Sequence, residues 1–275
     1  MKLEFFKYHG LGNDYVLLDE TRRRTGLEKR PAKIREICDR RFGIGSDGVL
    51  LVQKSARAGV RMRMFNPDGS ESEMCGNGVR CVAKYAFDHG LVGEKSFLVE
   101  TGAGIKKIEV AKTGGGKAEL LVVGMGSPVF GRQNAQVNAC GEKIVFSEAS
   151  MGNPHAVVFE ESDEKLAHER VGRLGPEMER NKMFPNKTNV EFVRAVSKTG
   201  GRMVVWERGA GMTLACGTGT CASVAVGAKK GLFARGAWVK MRLDGGDLYI
   251  KIAPGFSQVW MKGPAKEVFR GTIQL

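Results

Sequence analysis

At 275 residues the chain has room for two domains of ordinary size, each with its own core. Its net charge of +13 is scattered, the densest cluster (Arg22-Arg23-Arg24, then Lys29-Arg30) is short and interrupted by Glu28, and no zinc-finger spacing or RNA-binding aromatic motif accompanies it, which argues against nucleic acid as a partner. No apolar run approaches the ~20 residues of a membrane span, and the first seven residues alternate charged and apolar types instead of forming a signal-peptide core, so we expect no membrane partner and a cytoplasmic protein with reduced cysteines.

In chain order, strands are expected at 3–8 and 15–19, then a helix over 32–41, where Ile34, Ile37, Cys38 and Phe42 recur at helical spacing. Strands follow at 49–53 and 60–65. A second helix, 79–88, puts Val79, Val82, Ala83, Ala86 and Phe87 on one stripe. Strands at 96–100, 105–111 and 118–125 are separated by the turns Thr101-Gly102-Ala103-Gly104 and Thr113-Gly114-Gly115-Gly116. In the second half, strands are expected at 143–146, 156–160, 190–196 and 202–206. A helix over 221–228 is apolar or small all round and therefore buried on every side. Strands at 238–243, 248–253, 259–262 and 268–273 complete the chain. Short strands joined by tight turns indicate mostly antiparallel sheet.

The two halves repeat each other. Gly12-Asn13-Asp14-Tyr15 before Val16-Leu17-Leu18 resembles Gly152-Asn153-Pro154-His155 before Ala156-Val157-Val158. Asp47 before Val49-Leu50-Leu51-Val52 lines up with Asn189 before Val190-Glu191-Phe192-Val193. Arg61–Phe65 matches Arg202–Trp206, Cys75 matches Cys216, and Gly90-Leu91 matches Gly231-Leu232. Five matches in one order at a nearly constant separation indicate an internal duplication, with a period longer than solenoids use. The expected fold is α+β: two pseudo-symmetric lobes, each a curved, mostly antiparallel sheet wrapped around a central helix. The lobes are expected at 1–117 plus 264–275 and at 118–263, the last strand returning to the first lobe.

The matched cysteines carry the chemistry. Cys75-Gly76-Asn77-Gly78 and Cys216-Gly217-Thr218-Gly219 are both C-G-x-G turns leading into a helix. A helix start offers backbone N–H groups with no intrahelical partner, and its dipole favours negative charge. Both cysteines should therefore have a depressed pKa, and the neighbouring N–H groups can hold a carboxylate. Two such sites suggest an acid–base pair acting on opposite faces of one carbon. His155, at the repeat equivalent of the Asn13 loop, and Glu207, just upstream of Cys216, are candidates for tuning the thiols.

Other motifs do not survive their context. Gly43-Ile44-Gly45-Ser46-Asp47-Gly48 matches GxGxxG, but a helix precedes it and a strand follows, the inverse of a dinucleotide fold. Cys75, Cys81, Cys216 and Cys221 lack the C-x2-C spacing of zinc sites, so no metal is expected. Cys81 and Cys221 read as small buried hydrophobes. A thiol redox or metal-binding protein is the alternative from another class.

Gly10–Tyr15, Phe65–Ser70, Cys75–Cys81, Met151–His155, Thr188–Val190, Glu207–Gly211 and Ala215–Gly219 closely resemble the diaminopimelate epimerase family, in the same order across most of the chain. The resemblance implies a pyridoxal-independent, cofactor-free epimerase of 2,6-diaminopimelate, two lobes around a cleft that closes on the amino-acid substrate, and a homodimer. It implies that Cys75 and Cys216 are the acid and base, and that Gly76, Asn77, Gly217 and Thr218 contact the reacting carboxylate. Asn13, Asn66, Asn153, Asn189, Glu207 and Arg208 would surround the rest of the substrate. Asn66, Asn189 and Arg208 suit a second amino-acid group, which disfavours a histidine racemase; a proline-racemase-like protein would carry histidine where Asn77 stands. One departure is Gly48, where many family members carry glutamine.

Overall fold

The structure, a computed structural model, describes residues 2–161 and 163–274. The chain divides into two compact units, Met1–Val123 with Gly263–Leu275, and Gly124–Lys262. The division falls inside the strand Lys117–Gly126, a few residues beyond the glycine turn.

In the first unit the elements are β1 (Lys2–Gly10), β2 (Asn13–Asp19), α1 (Pro31–Cys38), β3 (Val49–Gln53), β4 (Val60–Phe65), β5 (Glu71–Ser72), α2 (Gly76–Asp88), β6 (Ser96–Thr101), β7 (Gly104–Gly114) and β8 (Lys117–Gly126). β1–β2, β3–β4, β4–β5, β6–β7 and β7–β8 pair antiparallel, while β2–β3 and β4–β6 pair parallel. β3 is buried on both faces, as its unbroken apolar run requires. Val49 and Leu51 pack with Ile34, Ile37 and Cys38 of α1, while Leu50 touches Gly78 at the start of α2. α2 packs against β1, β2, β3 and β4, buried from Gly76 to Ala86.

The second unit repeats this plan. Its elements are β9 (Val129–Phe130), β10 (Ala135–Ala139), β11 (Glu142–Ser150), β12 (Pro154–Phe159), α3 (Glu164–Glu179), β13 (Asn189–Ser197), β14 (Gly200–Glu207), β15 (Gly211–Thr213), α4 (Gly217–Lys229), β16 (Trp238–Leu243), β17 (Gly246–Ile252) and β18 (Val259–Pro264). From β11 onward the plan of the first unit recurs: β12–β13 and β14–β16 are parallel, and β11–β12, β13–β14, β14–β15, β16–β17 and β17–β18 antiparallel. The fold is thus α+β, mostly antiparallel, with two parallel pairs in each unit among the described residues. α4 packs against β11, β12, β13 and β17 with no exposed face over most of its length. The last strand, β19 (Lys266–Gln274), pairs antiparallel with β1.

Three differences from the sequence expectation have local causes. α1 ends at Cys38, because Asp39 leaves the helical region with ψ at 123°, and Phe42 is 90% exposed instead of joining the apolar stripe. α2 and α4 begin at the glycines after the cysteines, earlier than expected. α3 was not expected at all. Ala167, Val171, Leu174 and Met178 do line one face of it and enter the core. Gly172, Gly175 and Pro176 within it read as a breaker. At Gly175 the reason for glycine is packing: a Cβ there would lie 2.6 Å from the Trp206 ring.

Candidate active site

Each cysteine caps its helix. Cys75 has extended backbone angles, φ −140° and ψ 121°, and its sulfur accepts from the Gly78 N–H at 3.5 Å. Cys216 has φ −114° and ψ 110°, and its sulfur accepts from the Gly219 N–H at 3.4 Å. This is N-capping by sulfur in place of the usual hydroxyl or carboxylate. Glycine three residues on leaves room for it: a Cβ at Gly219 would lie 3.2 Å from the Cys216 sulfur and 2.5 Å from Glu191 Oε1, and one at Gly78 would lie 3.1 Å from Leu50 Cδ2.

Around Cys75, Tyr15 places its hydroxyl 2.9 Å from the sulfur and donates to Asn13 Oδ1. Burial, then the neighbouring Cys75, pushes the Tyr15 phenol well above its usual range, so it remains a donor. Asn13 Oδ1 also accepts from Asn77 Nδ2 at 3.1 Å, while Asn13 Nδ2 donates to Asp47 Oδ2 at 2.8 Å. Asn77 Oδ1 in turn accepts from Arg80 Nη2 at 2.8 Å. Arg80 is fully buried; its other nitrogens donate to the carbonyls of Gly76 and Pro264, both at 3.1 Å. Asn13, Cys75, Gly76 and Asn77 are thus brought together. Asn66 belongs to a neighbouring turn, where Nδ2 donates to Ser70 Oγ at 3.0 Å.

Around Cys216, Thr218 Oγ1 lies 3.6 Å from the sulfur and accepts from Asn153 Nδ2 at 3.2 Å. Asn153 Oδ1 faces His155 Nε2 at 3.0 Å, and His155 Nδ1 faces Glu191 Oε1 at 2.6 Å. Glu207 bonds to Thr213 Oγ1 and to the Cys216 side chain. Asn189 Nδ2 donates to the Pro154 carbonyl at 2.8 Å, and its Oδ1 accepts from the Arg208 N–H at 2.9 Å. The Arg208 guanidinium is exposed and donates to the Asn186 carbonyl at 3.2 Å. It lines a cavity of about 580 Å³ with Asn153, Asn186 and Lys187. Asn153, His155, Asn189, Glu207, Arg208, Gly217 and Thr218 therefore form one linked group with Cys216.

The expected lowering of the Cys216 pKa is overturned. Burial, then the carboxylates of Glu207 and Glu191, pushes the thiol well above its usual range. The Thr218 hydroxyl and the Gly219 N–H act in the opposite direction and do not prevail. Helix capping alone did not foretell this, because a wholly buried acid, Glu191, and a half-buried one, Glu207, stand beside the sulfur. Burial likewise raises the Glu207 carboxyl, against its bonds to Thr213 and Cys216. Cys81 is buried and its thiol pushed up to about 12, chiefly by desolvation.

Tyr15, Arg80 and Glu191 were not singled out from the sequence. The repeat held a signal for the first, since Tyr15 aligns with His155, and each bonds the oxygen of the asparagine two residues before it. At Gly48 the reason for glycine is steric: a Cβ would lie 2.5 Å from the Phe65 carbonyl oxygen, so this backbone cannot accept a glutamine unchanged.

The profile of diaminopimelate epimerase matches residues 5–131 and 148–268. The chain belongs to the diaminopimelate epimerase family. It is 43% identical over 288 residues to the diaminopimelate epimerase of Acetivibrio thermocellus, covering 99% of both chains. It is 43% identical to that of Moorella thermoacetica over 285 residues, covering 99% of this chain and all of the other. Its fold is that of a hydroxyproline epimerase from Agrobacterium vitis solved with trans-4-hydroxy-L-proline, at TM-score 0.78 and 16% identity over 99% of this chain and 91% of that one.

Proposed function

We infer that this chain is a pyridoxal-independent isomerase that interconverts LL- and meso-2,6-diaminopimelate, in lysine and cell-wall precursor biosynthesis. The observation that carries the reading is the pair of cysteines capping matched helices in a chain of this family. In the proposed reaction one sulfur, as thiolate, takes the α-proton. The other, as thiol, protonates the opposite face, and the roles exchange in reverse. Gly76, Asn77, Gly217 and Thr218 hold the reacting carboxylate against helix starts, which stabilises charge developing at the α-carbon. His155 and Glu207 set the protonation of Cys216. Asn13, Asn66, Asn153, Asn189, Glu207 and Arg208 bind the rest of the substrate, and Arg208 is suited to the distal carboxylate because its fork can bond it twice. The reading includes two lobes at 1–117 with 264–275 and at 118–263, a homodimer and a cytoplasmic location, and it requires no cofactor.

Proton exchange at the α-carbon in D₂O, followed by NMR on protein treated with EDTA and kept reduced, tests the reading. Diaminopimelate should exchange. Lysine leaves the distal polar groups unpaired and should exchange at least ~10³-fold more slowly, in line with the selectivity of hydrogen-bonding sites. Exchange of histidine or lysine as fast as diaminopimelate would overturn the substrate assignment.

A further inference from the structure

Glu191 is a buried acid for which the proposed reaction has no use. It stands on β13, its side chain wholly buried, in a strand that otherwise carries apolar residues over Val190–Val193. Oε1 meets His155 Nδ1, while Oε2 is buried with no hydrogen-bond partner. An acid in such a place is costly unless something holds it there. The carboxylate reaches the start of α4, since a Cβ built on Gly219 would lie 2.5 Å from Glu191 Oε1 and 3.2 Å from Cys216 Sγ. In the first unit Leu50 occupies the same place, its Cδ2 3.1 Å from the corresponding point on Gly78.

Hydrogen bonds run from this acid to the sulfur. Both ring nitrogens of His155 face oxygens, so both donate: Nδ1 to the Glu191 carboxylate, which sets the ring plane, and Nε2 to Asn153 Oδ1. The amide of Asn153 is thereby fixed, and its Nδ2 holds the Thr218 hydroxyl beside Cys216. We propose that Glu191 is a positioning residue for proton transfer at Cys216, acting through His155, Asn153 and Thr218. The titratable groups facing it are His155 of β12, Glu207 at the end of β14 and Cys216 at the start of α4. The inference rests on the reading of Cys216 as an acid–base group.

A double-mutant cycle on the full chain tests it, with Glu191→Gln, His155→Gln and the pair. Glu191→Gln should lower kcat for diaminopimelate about 10- to 100-fold, within the range of acid–base effects, and move KM less than about 3-fold. In the double variant the losses should coincide instead of multiplying. The cycle is also read without substrate, as the alkylation rate of Cys216 relative to Cys75 in the same sample. Each single variant should change that ratio, and the changes should again fail to add. Additive losses, or a folded Glu191→Gln variant with wild-type kcat and alkylation ratio, would overturn the proposal. A wild type inert to diaminopimelate would sink the substrate reading, while the alkylation cycle would still decide the role of Glu191. Should Glu191→Gln fail to fold, Glu191→Asp enters the same cycle under the same criteria.

Discussion

Cys75 and Cys216 begin their helices with the same backbone, yet the side chains around them differ in kind. Beside Cys75 stand a phenol, the apolar Leu50 and, linked through Asn77 and Asn13, the buried guanidinium of Arg80. Beside Cys216 stand an imidazole, the buried carboxylate of Glu191 and the half-buried one of Glu207. The contrast follows the repeat position by position: Tyr15 against His155, Leu50 against Glu191, Asn66 against Glu207, and Arg80 against Cys221. A duplicated backbone gives two equal helix starts, and the side chains then set their protonation apart. For a two-base reaction that difference is useful, because one sulfur must start charged and the other neutral. The carboxylates near Cys216 point to a thiol at Cys216 in the resting protein.

The largest effect tests whether both halves are needed. Cys75→Ala and Cys216→Ala should each lower epimerisation of diaminopimelate ~10²–10⁴-fold or more, the scale of a lost acid or base. Cys81→Ala should retain most activity, because Cys81 is buried as a neutral thiol within α2. Substantial turnover in either of the first two variants would remove the pairing on which the comparison stands.

A smaller effect sharpens the contrast at Arg80. Arg80→Met keeps the unbranched stem as far as the position of Nε but removes the donors to Gly76, Asn77 and Pro264. Each buried acceptor left without its partner costs about 1–3 kcal/mol, so Tm should fall by several degrees. Asn77 should also lose its orientation toward Asn13, lowering kcat about 10-fold. A variant as active as the wild type would show that Asn77 and Asn13 are held by the backbone alone, and that Arg80 serves only the packing of α2.

Much of this was legible in the sequence, for reasons that particular residues make plain. The cysteine turns were, because C-G-x-G before an apolar run has few structural uses. Most strands were, because their apolar residues cluster between glycine turns. α3 was not, since Gly175 serves packing on Trp206 and reads as a break. Glu191 was not, because an acid within Val190–Val193 reads as the solvent side of an alternating strand, whereas β13 is buried on both faces there. The Cys216 environment depends on acids from two different strands, β13 and β14, and local spacing does not report such a meeting.

The smallest effect concerns stability and comes from the thiol itself. An unfolded cysteine ionises near pH ~8.5. In the folded chain, burial and then the Glu207 and Glu191 carboxylates hold the Cys216 thiol protonated well beyond that. Below pH ~8.5 both states keep the proton, and the contribution of this group to stability is fully present. As the pH rises further, the unfolded chain releases a proton that the folded chain retains, so stability is lost at up to ~1.4 kcal/mol per pH unit until the folded thiol also ionises. Cys216→Ala has no such group, and every other titrating residue is common to both proteins. The unfolding free energy of the wild type should therefore fall relative to the variant as the pH is raised from about 7.5 to 9.5, measured by urea denaturation. Glu191→Leu, which replaces the acid by what the first unit carries at Leu50, should narrow that fall. A wild-type-to-variant difference that stays constant with pH would mean that Cys216 ionises as readily folded as unfolded, and the electrostatic contrast between the two helix starts would be lost.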